Sequence, residues 1–122
     1  MAPEIDVAAR EAKVYHPYPQ PEGKFERKDL PDYVLTMLQS AYPDAGVRCR
    51  GAYLPGSKHP SQRFWMRYHG RDYEGAIILE NEGLLVKMTL PPIANKRDRR
   101  LLNRIDRSID LLFLTGQLLL RP

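Results

Sequence analysis

The sequence predicts an α+β fold: a four-stranded antiparallel meander sheet with two main helices packed on one face. Three observations predict it. Residues 30–42 and 96–115 repeat apolar side chains at spacings of three and four, as helices with one buried face do. Between them, residues 47–54, 63–69, 72–80 and 84–90 alternate apolar and polar positions, as half-buried strands do. The last three strand segments are separated only by Gly70-Arg71 and Asn81-Glu82-Gly83, connections short enough for hairpins. The resulting order is α-β-β-β-β-α, a sheet with one covered face. It forms a single domain over residues 29–122, preceded by a Pro/Tyr-rich arm over 1–28.

Within the arm, Ile5, Ala8, Ala9 and Ala12 stand at helical spacing, so Ile5 to Val14 is expected as a short helix with a weak apolar face. Tyr15-His16-Pro17-Tyr18-Pro19-Gln20-Pro21 follows, and its three prolines forbid helix and favour an extended path. This segment reads first as a connector laid over the domain's own surface, and second as a docking strap. The first helix has Asp29 as a candidate N-cap and Pro31 in its first turn. Leu30, Tyr33, Val34, Met37, Leu38 and Ala41 make its buried face, and Pro43 and Gly46 end it.

Strand register is testable on paper. Pairing His69 with Asp72 sets Tyr68 against Tyr73, Arg67 against Glu74, Trp65 against Ala76 and Phe64 against Ile77. A turn centred on Glu82-Gly83 sets Leu79 against Val86. One face then gathers Phe64, Met66, Tyr68, Tyr73, Ile77, Leu79, Val86, Met88 and Leu90, which is the expected core. Pro91-Pro92 stops the sheet. Asn95 is the candidate cap of the final helix, with Asp98 as its capping-box partner. Leu101, Leu102, Ile105, Ile109, Leu112 and Phe113 form that helix's apolar stripe, and Gly116 ends or interrupts it.

Charge is unevenly placed. Lys and Arg balance Asp and Glu through residue 90, whereas residues 91–122 carry seven basic against three acidic groups. That difference is the whole net charge of +4. At about 100° per residue, Lys96, Arg97, Arg100, Arg104 and Arg107 share one sector of the final helix. Asp106 and Asp110 fall towards another edge, near Arg99, as helix-surface residues. Leu111, Leu114 and Leu118 continue the line of the arginines, so the helix's C-terminal half is apolar nearly all round. Such a surface needs a cover, either the arm or a partner. A second surface is the outer face of the sheet, where Arg63, Trp65, Arg67 and His69 point away from the core. Arg48 and Arg50 join them if Val47, Cys49 and Tyr53 point inward.

Chemistry is not written in local motifs. Cys49 is the single cysteine, which excludes an internal disulfide and a cysteine-based zinc site. With no secretory signal, a cytoplasmic location is expected. Apolar runs are too short to span a membrane, none being longer than Leu111 to Leu114. His16, His59 and His69 lie in unrelated contexts, without metal-pair spacing or a neighbouring nucleophile. The expectation is a non-enzymatic binding or adaptor protein without a cofactor or metal. It would act by protein–protein contact through Arg97, Arg100, Arg104, Arg107, Leu111, Leu114 and Leu118, with a protein partner or as a homo-oligomer. The alternative is a module for DNA or RNA using the same arginine ridge with Arg48, Arg50, Arg63, Trp65 and Arg67.

Overall fold

The computed structural model describes residues 3–18, 26–51, 58–91 and 96–115. It is an α+β fold with two helices and one antiparallel sheet, but the sheet has six strands rather than four. The strands are β1 (Glu4–Asp6), β2 (Glu11–Pro17), β3 (Arg48–Arg50), β4 (Ser61–Tyr68), β5 (Arg71–Leu79) and β6 (Gly83–Thr89). The helices are α1 (Leu30–Ala41) and α2 (Lys96–Thr115). Sheet order is β1-β2-β6-β5-β4-β3, so β3 to β6 form the expected meander.

The two added strands come from the N-terminal segment. Residues expected as a short helix instead form a hairpin, with Ile5 opposite Ala12. Ala8 and Ala9 are exposed, so their helical spacing buries nothing. The Asp6 side chain accepts the Ala9 amide at 3.1 Å, and Arg10 turns the chain with φ of 53°. Both features favour a turn over a helix start. After the turn the period is two: Ala12, Val14, His16 and Tyr18 point into the core. β2 pairs along its whole length with β6. Tyr18 then grips the β5–β6 turn, its amide donating to the Glu82 carbonyl and its hydroxyl to the Glu80 carbonyl at 2.6 Å.

The meander keeps the predicted faces but not the predicted partners. Tyr68 lies opposite Arg71, Met66 opposite Tyr73 and Phe64 opposite Gly75. Ile77 lies opposite Val86 and Leu79 opposite Leu84. Both hairpins are displaced by two residues from the paper register, and a shift of two leaves every side chain on its face. The first turn causes its own displacement. His69 and Gly70 both have positive φ, at 50° and 74°, as a two-residue hairpin turn of the primed type requires. The turn therefore sits one position earlier than Gly70-Arg71.

Phe64, Met66, Tyr73, Ile77, Leu79, Val86, Met88 and Leu90 are buried as expected, with Tyr68 half-buried beside them. α1 covers β3 to β5 on this face, while α2 lies over β2 and against α1. Leu30, Val34, Met37 and Leu38 of α1 meet Leu101, Leu102, Ile105, Ile109 and Leu112 of α2 in one core. Asp29 makes no side-chain cap. A 3₁₀ turn over Arg27–Asp29 runs straight into α1 and holds Asp29 in a helical conformation, where a cap would be extended. Cys49, expected buried, is exposed. It pairs opposite the buried Phe64, but β3 is the edge strand and the core ends before it. Tyr53, Asn95 and Gly116 lie outside the described residues.

Candidate functional site

Three features of α2 gather the chemistry, and only one was visible in the sequence. The helix runs across the sheet, with Asp98 in its first turn, Asp106 and Asp110 in its middle, and exposed leucines in its last two turns.

Asp98 is 1% exposed and is held from β5. Arg71 donates through Nε to Oδ1 at 2.9 Å and through Nη2 to Oδ2 at 3.0 Å, a bidentate fork. The Tyr73 hydroxyl donates to Oδ1 as well. Its carboxylate thus ties the start of α2 to β5, a contact the sequence reading of Asp98 as a capping-box partner did not include. Burial first, and then the hydrogen bond and charge of Asp98, push the Tyr73 phenol well above its ordinary value of 10, with Arg71 pulling partly back. A raised phenol favours the folded state while protonated. The contribution is complete below pH 10 and is lost as pH climbs towards the folded value. Thermal unfolding from neutral pH to about pH 11 should therefore show the wild type losing its advantage over Tyr73→Phe at the alkaline end. A constant gap across that range would contradict the assignment.

Asp106 and Asp110, expected at the helix surface, both turn to His16 on β2. Nε2 of His16 lies 2.9 Å from Oδ1 of Asp106, and Nδ1 lies 2.8 Å from Oδ1 of Asp110. His16 is 3% exposed, and Phe113 meets its ring edge-on at 6.0 Å. The sequence hides this cluster because about ninety residues separate its strand from its helix. The only available signal was that His16 falls on the inward period of β2.

The arginine ridge and the leucines lie on the far side of α2. Lys96, Arg97, Arg100, Arg104 and Arg107 are exposed. Arg104 lines a groove of about 540 Å³ with Tyr42, Asp44, Arg67, Tyr68 and His69. Leu111 is 42% exposed and Leu114 is 80% exposed, whereas Leu112 between them is fully buried. Leu118 lies outside the described residues.

On the outer face of the sheet, Arg48, Arg50, Arg63, Trp65 and Arg67 come together as the alternation requires, but several have internal partners. The Arg48 guanidinium stacks on the Trp65 ring at 4.9 Å. Arg50 pairs with Glu74, and Arg67 approaches Asp72 at 3.9 Å. Arg67 was expected to face Glu74; the two-residue displacement gives it Asp72 instead. His69 belongs to the hairpin turn, where Tyr68 packs against its ring at 4.2 Å, and not to the sheet face. No helix of the described residues is long and apolar enough to cross a membrane. No protein-family model, curated protein or solved structure significantly matches this chain.

Proposed function

We propose that this chain is a non-enzymatic protein-binding domain that meets a protein partner, a second copy included, through the C-terminal half of α2. The observation that carries this reading is the exposure of Leu111 and Leu114 along the line of Arg100, Arg104 and Arg107. Leucines one turn apart offer apolar area, and neighbouring arginines favour an acidic rim on the partner. The nucleic-acid alternative is weaker. Phosphate contacts by Arg50 and Arg67 would have to displace Glu74 and Asp72, and a base stacking on Trp65 would compete with Arg48.

Sedimentation and site-specific photocrosslinking test the proposal. A photoreactive residue replacing Leu114 is expected to give a discrete crosslinked product, either with itself or with another protein. Leu114→Asp should abolish that association while circular dichroism stays unchanged, because a charge would enter a dry contact. Arg104→Ala should mainly slow association and change its salt dependence. A wild type that stays monomeric and yields no crosslink from position 114 would overturn the reading. Fluorescence anisotropy with single-stranded DNA and RNA at two salt concentrations separates the alternative. Binding that falls steeply with salt and is lost in Arg50→Ala would favour the nucleic-acid module.

A further inference from the structure

The His16 cluster contains two buried polar atoms that meet as an ion pair but make no hydrogen bond. Nε2 of His16 and Oδ1 of Asp106 are 2.9 Å apart, yet neither has a hydrogen-bond partner. Buried polar groups are nearly always paired, so such atoms call for an explanation. Metal–nitrogen and metal–oxygen bonds of about 2.1 Å place neighbouring ligand atoms of one ion about 3 Å apart. The observed separation has that span. Ligand atoms from His16, Asp106 and Asp110 all lie within 4.8 Å of one another.

The chain's architecture suits the ligand set. Asp106 and Asp110 stand four residues apart and therefore share one face of α2, directly above the inward-facing His16 of β2. Asp106 is buried, whereas the Asp110 side chain is half exposed and stands at the mouth. Two carboxylates meet one imidazole at the edge of an apolar core, and a dication would offset the charge of the carboxylates.

We infer that His16, Asp106 and Asp110 form a site for a divalent transition-metal ion of the zinc class, open to solvent on the Asp110 side. An imidazole nitrogen with two carboxylate oxygens favours zinc, manganese or iron over magnesium and calcium, which take oxygen ligands. His16 would bind through Nε2 and Asp106 through Oδ1, the two atoms that make no hydrogen bond. Asp110 now lies at the Nδ1 edge of the ring and would reach the ion by rotating its exposed side chain. The bound ion would join β2 to α2 one turn before Leu111, which makes it a brace for the proposed docking surface without depending on that surface.

Equilibrium dialysis of the full chain against zinc, manganese or magnesium chloride, followed by elemental analysis, tests the site. The work belongs in a Cys49→Ser background, because an exposed thiol captures zinc by itself. One equivalent of zinc and no magnesium is expected, with a rise in thermal midpoint that grows with zinc concentration. Asp110→Asn should fold normally and lose both effects, as should His16→Gln where it folds. Asp72→Asn, on the other face of the sheet, should keep both. Cobalt should give visible absorption bands with the parent chain and none with Asp110→Asn. Absence of stoichiometric zinc overturns the assignment, and so does zinc retained by Asp110→Asn.

Discussion

Replacing Asp98 with alanine is expected to destabilise the fold by about 3 kcal/mol, the lower end for breaking a buried ion pair by removing one partner. The Asp98 side chain is 2% exposed, and its oxygens take Arg71 and Tyr73. Without it, a guanidinium and a phenol lose their acceptor in a space too enclosed for full hydration. The estimate stays low because the Arg71 side chain retains 23% exposure and can recover part of its solvation. Asp98 also stands in the first turn of α2, where a negative charge favours the helix, and that contribution goes with it. Asp98→Asn preserves the shape but sets an amide against the guanidinium, so it should fall between wild type and alanine. Urea unfolding measures the difference as a lower midpoint at unchanged slope. A loss below about 1 kcal/mol would mean that the fork and the phenol add little beyond an exposed pair.

What the sequence made legible follows from the range over which each signal acts. Helical spacing within 96–115 needs only neighbours along the chain, and α2 has those bounds. Alternation assigns faces, so Phe64, Met66, Ile77, Val86 and Met88 were placed in the core before any partner was known. Register depends on turn geometry, and the positive φ at His69 is not a residue's usual preference, which explains a displacement that preserves faces. β2 was misjudged for a different reason. Ala12 and Pro17 have weak strand propensity, and the position of β2 is set by β6, about seventy residues away. A separation of about ninety residues likewise hid His16 from Asp106 and Asp110. Charge on α2 reads as surface until a strand supplies a histidine beneath it. Exposed Leu111 and Leu114 were legible because they break the helix's own amphipathic period.

A coupled pair in the centre of the sheet gives the second large effect. Phe64→Ala is expected to cost about 3–5 kcal/mol, as removal of a fully buried aromatic ring does. Gly75, directly opposite on β5, has no side chain because that ring occupies its space. A Cβ built there would stand 2.5 Å from Cζ of Phe64 and 2.8 Å from the backbone carbonyl oxygen of Lys87. Gly75→Ala alone should therefore destabilise by about 1–3 kcal/mol through overpacking, despite the smaller entropy of the unfolded alanine chain. The two changes share one volume and so should not add. In the double variant the new methyl enters room the ring has vacated, although the Lys87 carbonyl still crowds it. The double variant is expected to lie at least about 1 kcal/mol closer to wild type than the sum of the singles, in the range contacting residues show in double-mutant cycles. Urea unfolding of all four proteins yields the coupling directly. Strict additivity would place the Phe64 ring elsewhere and make the Lys87 backbone alone the reason position 75 is glycine.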